Sequence, residues 1–196
     1  MQEVCQDGHL WVRWHSEPLP DQEGSNRQNQ EWMDEQSQKA KLDNYGMHKV
    51  ERLPGNVGYI ELRQFHNTEW GGDTAVAAMN FLANASALII DLRNCLGGNP
   101  GMVALVSSYI YGEEPVHLNS IYWRNDDATQ QYWTLPYIPG KRFGDKPVDV
   151  LISKTTFSGG EEFAYNLKNR QRATLVSETT GGGAHTGDLP GFVAPR

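Results

Sequence analysis

The chain has 196 residues, 38% of them apolar and 21% charged, which is typical of a globular protein with a single core. Its 17 basic and 24 acidic residues give a net charge of −7, which argues against nucleic acid or an anionic membrane surface as a partner. No apolar run approaches the roughly 18 residues of a membrane span, and no signal-peptide pattern opens the chain.

The N-terminal part differs in composition from the rest. A strand-like run occupies residues 9–14. Residues 21–44 are polar, with Trp32, Met33 and Leu42 as their main apolar side chains, and they predict a solvated helix or a long surface connection. We therefore expect residues 1–46 to be the end of an N-terminal region and residues 47–196 to form the core.

The core begins with strand patterns over 47–53 and 57–62, separated by a Pro-Gly-Asn turn signal. Asp73 or Thr74 is the predicted cap of a helix whose apolar face holds Ala75, Met79 and Leu82. A continuous apolar run over 87–92 predicts a strand covered on both faces.

The second half of the core alternates helices and strands. Asn99 and Pro100 are a predicted N-cap and first helical residue. A strand over 148–152, a helix opened by Ser158, a strand over 173–176 and a glycine-rich loop over 181–183 follow. Strands and helices joined in this order indicate an α/β domain built from βαβ-type crossovers.

The first candidate for chemistry is Ser158, which follows a predicted buried strand and opens a helix. Backbone N–H groups at such a turn can hold the oxyanion of an acyl-transfer intermediate. Gly159 and Gly160 would let a substrate approach the backbone. The alternative is purely structural, because Ser158 and Glu161 have the spacing of a capping box.

The second candidate is the pair Gly97 and Gly98, between a strand and a helix. Such a turn can present free N–H groups to an anion or a carbonyl oxygen, or it can simply be tight. It lacks the spacing of a phosphate-binding loop.

A serine nucleophile needs a neighbouring base, and six histidines are present. His9, beside Asp7 and Gly8, and His185, in the glycine-rich loop, are the candidates, although a structural role remains open for each. Cys5 and Cys95 are too few and too far apart for a metal site or a disulfide framework and are expected to be buried. We expect neither a metal nor a cofactor.

Three segments resemble the tail-specific, or C-terminal processing, serine proteases. Residues 91–98 (DLRNCLGG) are similar to a D-L-R-x-N-x-G-G stretch of that family, residues 156–164 to its nucleophile segment, and residues 172–183 to the strand and loop that follow. Residues 7–10, 44–46 and 50–59 are similar to the branch named for the interphotoreceptor retinoid-binding protein.

The resemblance implies a crotonase-like α/β core and a serine peptidase acting on peptides or proteins. Ser158 would be the nucleophile, and the N–H groups of Gly159 and of Gly97 or Gly98 would form the oxyanion hole. The family's lysine base would fall near Gly183, where no lysine occurs, so the resemblance favours the histidine base of the tricorn-like branch at His9. His185 is the alternative base.

The resemblance also places a late glutamate beyond Arg196, with Glu178 as its nearest substitute, and this predicts that the chain is a fragment. Two rival functions follow. One is a non-catalytic module that binds an apolar ligand such as a retinoid or fatty acid, and the other is an inactive fragment. The resemblance favours an exported protein, whereas substrate preference and oligomeric state have no sequence signal.

Overall fold

The computed structural model describes residues 9, 22–124 and 126–185. Its helices are α1 (Gln22–Leu42), α2 (Thr68–Leu82), α3 (Pro100–Ile110) and α4 (Gly159–Asn169). Its strands are β1 (Met47–Leu53), β2 (Val57–Leu62), β3 (Ala87–Asp91), β4 (His117–Trp123), β5 (Ala128–Trp133), β6 (Val148–Ile152) and β7 (Thr174–Ser177). Apart from His9, the predicted strand over 9–14 lies outside the described residues.

The main sheet has the strand order β1-β2-β3-β6-β7. β1 pairs with β2 in antiparallel fashion, and β2, β3, β6 and β7 run parallel to one another. The helices α2, α3 and α4 lie in the crossovers between parallel strands. The predicted α/β architecture with βαβ-type crossovers is therefore confirmed.

β3 lies at the centre of this sheet, between β2 and β6. Its Leu88 and Ile90, which share one face, are fully buried, whereas Ala87 and Ile89 on the other face are only partly buried, so the predicted cover is complete on one face alone. The core around it includes Met79 and Leu82 of α2, so the predicted apolar face of that helix is confirmed. Because parallel strands end at the same edge, the segments after β3 and β6 emerge side by side.

The predicted start of α2 is wrong. The helix begins at Thr68, five residues before Asp73, because the Asn67 side chain accepts a hydrogen bond from the Glu69 N–H at 3.0 Å and caps it there. Gly71 lies inside the helix although glycine disfavours that position. A Cβ at Gly71 would lie 2.6 Å from Tyr45 Cβ, so close packing accounts for this glycine.

Two further elements complete the description. The predicted polar helix is confirmed as α1, and within the described chain no helix is both long and apolar enough to cross a membrane. The hairpin of β4 and β5 forms a separate two-stranded sheet that the sequence did not predict. Its strands carry many polar residues and little apolar alternation, which removes the usual strand signal.

Candidate active site

Two turns meet at the edge of the sheet where β3 and β6 end. The first turn, residues 91–98, follows β3, and the second, residues 153–158, follows β6. The two strands are paired directly, with Ile90 opposite Val150. The sheet itself therefore brings together the two segments that the sequence singled out.

Hydrogen bonds join the two turns. Thr156 Oγ1 donates to the Leu92 carbonyl at 2.8 Å, and the Phe157 N–H donates to the Cys95 carbonyl at 2.9 Å. Thr156 Oγ1 also accepts from the Ser153 N–H at 2.9 Å, and Thr156 is fully buried. A buried polar side chain with both partners satisfied fixes the local geometry, so the segment before Ser158 is rigidly held.

Asp91 anchors the first turn. It is 3% exposed and accepts from the Arg93 N–H at 3.0 Å, from the Arg93 guanidinium at 2.6 Å, and from the Tyr59 hydroxyl at 2.8 Å. Burial alone would raise the pKa of Asp91, but the hydrogen bonds from Arg93 and Tyr59 outweigh it and hold that pKa below its usual value. Burial, together with the Asp91 hydrogen bond, raises the pKa of Tyr59 to about 12.

Ser158 has an unusual backbone conformation at the start of α4. Its φ of 49° and ψ of −121° lie in a region that residues other than glycine rarely adopt. Such backbone strain costs on the order of 1–3 kcal/mol and is concentrated at functional sites. The Ser158 N–H donates to Glu161 Oε2 at 2.9 Å, so the carboxylate contact of the predicted capping box is present.

The glycine pair of the first turn lies directly against Ser158. Gly97 has a φ of 96°, and a Cβ there would lie 2.6 Å from the Gly159 nitrogen and 2.7 Å from Ser158 Cβ. A Cβ at Gly159 would in turn lie 3.0 Å from the Gly98 nitrogen. Ser158, Gly159, Gly97 and Gly98 are therefore brought together, and only glycine leaves room for the contact.

The N–H groups of Gly98 and Gly159 lie on this contact. Gly159 is the first residue of α4, where an N–H has no acceptor within its helix. Among the turn and cap hydrogen bonds of the described residues, neither N–H is a donor to a backbone oxygen. The Gly97 N–H differs, because it faces the Cys95 thiol.

Cys95 is completely buried, as predicted, whereas Cys5 lies outside the described residues. Burial raises the pKa of the Cys95 thiol to about 12, and the Gly97 N–H offsets this only in part. Cys95 Sγ lies 3.1 Å from the Cβ position of Gly160, so the sulfur packs beneath the first turn of α4. A protonated thiol of this kind is structural rather than reactive.

Glu161 connects the Ser158 turn to the glycine-rich loop. Besides the Ser158 N–H, its carboxylate accepts from the N–H groups of Gly182 and Gly183, each at 2.7 Å. Glu161 is 4% exposed, and hydrogen bonds to a buried carboxylate are among the stronger ones in proteins. One side chain thereby sets the position of Ser158 relative to the loop that carries His185.

Both predicted bases lie next to the nucleophile segment. The His9 ring packs against the Phe157 ring at 4.6 Å between centroids, and His9 and His185 are 4.9 Å apart by the same measure. Gly183 lies against the first two rings, since a Cβ there would collide with the Phe157 ring and lie 2.9 Å from His9 Cε1. Segments separated by almost the whole chain therefore meet beside Ser158.

A cavity of about 390 Å³ opens beside Ser158. Its walls come from α4, from β4, from the turn around Gly98 and from His185. Glu162 lines it, and burial raises the pKa of the Glu162 carboxyl to about 7, with a partial offset from the Asn166 amide. Within the described chain, no cluster of His, Cys, Asp or Glu has the composition of a metal site.

Sequence reasoning missed several residues of this site. Thr156 and Glu162 carried no motif of their own, and Glu161 was read only as a cap. A buried carboxylate that reaches a distant glycine loop has no local signature, because its partners come from residues more than 20 positions away. Glu178 is exposed after β7 and does not line the cavity.

Comparison with known proteins identifies related chains. A family model described as peptidase family S41 matches residues 56–188. A carboxyl-terminal-processing protease of Synechocystis is 33% identical over 130 residues, which are 66% of this chain and 29% of that protein. The chain thus spans less than a third of that relative's length.

Solved structures share the fold. The photosystem II D1 C-terminal processing protease superposes with a TM-score of 0.51 at 24% identity, over 67% of this chain and 33% of that one. A candidate S41 protease from Bacteroides fragilis superposes with a TM-score of 0.63 at 19% identity, over 70% of this chain and 40% of that one. At these identities the likeness concerns the fold.

Proposed function

The chain belongs to peptidase family S41, and from that premise we propose that it hydrolyses peptide bonds with Ser158 as the nucleophile. The observation that carries the proposal is the contact between the two glycine turns. It sets the strained Ser158 beside the N–H groups of Gly98 and Gly159. A nucleophile flanked by preorganised N–H donors at a helix start is the arrangement that acyl transfer requires.

The proposed reaction follows from these positions. Ser158 Oγ attacks the peptide carbonyl while His9 takes the hydroxyl proton, and the carbonyl oxygen becomes an oxyanion. The N–H groups of Gly98 and Gly159 hold that oxyanion, in preference to Gly97, whose N–H faces Cys95. His9 then protonates the leaving amine, and water releases the acyl group by the reverse proton transfers.

The choice of base rests on position. His9 packs on the residue that precedes Ser158, and the family resemblance places the base in its segment. His185 lines the cavity with Ser158 and packs against His9, and it is the alternative base. Glu161 would act as a positioning residue, because it orients the Ser158 turn and the His185 loop together.

The remaining parts of the proposal concern the whole protein. We propose a crotonase-like core over residues 47–196, preceded by a connecting region over residues 1–46. The substrates would be peptides or proteins, as family S41 implies. The family resemblance favours export as its location.

Peptide hydrolysis tests the function directly. The full chain should cleave a quenched fluorescent peptide library, and Ser158→Ala should lose that activity by at least about a thousandfold. Ser86→Ala is a matched control, because Ser86 is exposed just before β3, at the opposite end of the sheet from Ser158. Equal rates for the native chain and Ser158→Ala, with both folded by circular dichroism, would refute the proposal.

A titration with a fluorescent retinoid and a fluorescent fatty acid separates the rival function. The peptidase proposal predicts no saturable binding of either ligand. Saturable binding by a chain that cleaves no library peptide would replace the proposal with a ligand-binding module of the same fold.

A further inference from the structure

Three polar atoms in the walls of the Ser158 cavity lack a partner. They are Glu162 Oε1, Asn166 Nδ2 and Asn119 Oδ1, each shielded from solvent. The Asn166 amide lies close enough to Glu162 to lower the pKa of that carboxyl, but no described residue completes a well-formed hydrogen bond with any of the three atoms. All three side chains line the one cavity, and Asn166 as a whole is 5% exposed. A buried polar group without a partner destabilises the folded chain, so three in one cavity call for an explanation.

The fold places these atoms together for a simple reason. Ser158, Glu162 and Asn166 are spaced four residues apart at the start and along one face of α4, and Asn119 faces them from β4. One helical turn corresponds to a rise of about 5.4 Å, so Glu162 lies roughly one turn from the nucleophile. That is the distance at which a side chain next to the scissile bond would lie.

The chemistry of the three atoms selects the ligand. Two of them accept hydrogen bonds, and one of the acceptors belongs to a carboxyl group. An apolar side chain would leave the two acceptors unpaired, and an acidic one would face Glu162. A lysine ammonium has three N–H donors and an arginine guanidinium has five, and either would also balance the carboxylate charge.

We propose that this cavity is a specificity subsite for a lysine or arginine side chain of the substrate, with Glu162 as its counter-ion and Asn119 as a second acceptor. Asn166 would be a positioning residue, because its buried amide lies beside the Glu162 carboxyl and lowers its pKa. The proposal rests on the peptidase function above, and it adds the substrate class that the family assignment does not specify.

The electrostatics of the cavity agree with this assignment. Among the described lining residues there is no Lys or Arg, so no protein cation balances Glu162. The titratable groups around it are Tyr132 on β5, Tyr122 on β4, Tyr165 on α4 and His185 on the loop. The pKa of Glu162 is raised to about 7 by burial, and a bound cation would lower it.

Binding to an inactive enzyme tests the subsite apart from catalysis. Ser158→Ala is titrated at pH 8 by fluorescence anisotropy with labelled hexapeptides in which one position at a time holds Lys, Arg, norleucine or Glu. At one position the basic peptides should bind about tenfold or more tightly than the norleucine peptide, the effect of one charge-assisted hydrogen bond. Adding Glu162→Gln should remove that preference, whereas Glu114→Gln, at an exposed site away from the cavity, should keep it.

The outcomes separate the two proposals. Equal affinity for basic and norleucine peptides, no measurable binding of basic peptides, or a preference that survives Glu162→Gln would overturn the subsite. A basic preference in binding combined with no cleavage by the native chain would leave the subsite standing and refute the peptidase. At pH 5.5, where Glu162 is protonated, the preference should fall toward that of Glu162→Gln, and an unchanged preference would also overturn the subsite.

Discussion

The two halves of the proposed site are held in different ways. The nucleophile half, residues 91–98 and 153–162, is joined by backbone and buried side-chain hydrogen bonds at the ends of two paired strands. In the histidine half, residue 9 and residues 181–185, the Gly181 N–H donates to the Thr156 carbonyl, the loop is linked to Glu161, and the His9 ring packs on Phe157 and His185. The nucleophile half is thus part of the core, whereas the histidine half is attached to it.

This difference has a physical consequence. Hydrogen bonds between neighbouring strands fix the Ser158 turn whenever the sheet forms, so its geometry should survive most changes elsewhere. The aromatic ring contacts of His9 contribute about 0.5–1.5 kcal/mol each and are not part of the hydrogen-bonded sheet. Substitutions in the histidine half should therefore change rates more than stability, and those in the nucleophile half should change both.

The largest effect is expected for the base. His9→Ala should lower kcat/KM by about 10²- to 10⁴-fold, since a general base contributes that much. Because the substitution changes no residue of the sheet, the thermal unfolding midpoint of the His9→Ala variant should stay close to that of the native chain. Steady-state kinetics and calorimetry measure the two quantities.

His185→Ala is the matched control for this comparison. It should cost less than about tenfold in kcat/KM if it only packs against His9. The reverse order, with His185→Ala far slower than His9→Ala, would transfer the role of base to His185.

Gly97→Ala should damage both rate and stability. A Cβ at this positive φ would press on the backbone of Gly159, displacing an oxyanion donor whose loss costs about 10²- to 10³-fold in kcat. The strain should also lower the free energy of unfolding by about 3 kcal/mol. Gly112→Ala is the control, because nothing lies within 4 Å of its Cβ position. Comparable losses in the two variants would show that the contact between the glycine turns is unimportant.

Thr156→Val is expected to have the smallest effect of the three. It keeps the side-chain shape but leaves the Ser153 N–H unpaired and removes one of the two hydrogen bonds to the Leu92 carbonyl, which keeps the one from the Cys95 N–H. The expected cost is about 2 kcal/mol in unfolding free energy. Thr155→Val at the exposed neighbouring position should change stability by less than about 0.5 kcal/mol. Urea denaturation measures both, and equal midpoints would argue against Thr156 as a link between the turns.

The same contrast explains how much of the molecule was predictable. The parallel strands, the Asn99 cap and Ser158 at the helix start have local signatures, and all of them are confirmed. The polar hairpin of β4 and β5 has none. At the start of α2 the Asn67 cap was missed because Gly71, which packs against Tyr45, disfavours a helix there. Contacts between distant residues, such as those of Glu161 with Gly182 and Gly183, leave no pattern in a single sequence.

Labelling with a fluorophosphonate probe tests the central claim most directly, because the probe reacts with activated serines and needs no knowledge of the substrate. The account predicts one covalent adduct per chain, located at Ser158 by mass spectrometry and absent in Ser158→Ala. An adduct should still form, more slowly, in His9→Ala. A folded native chain that remains unlabelled, or that is labelled equally in Ser158→Ala, would contradict the assignment of Ser158 as a nucleophile.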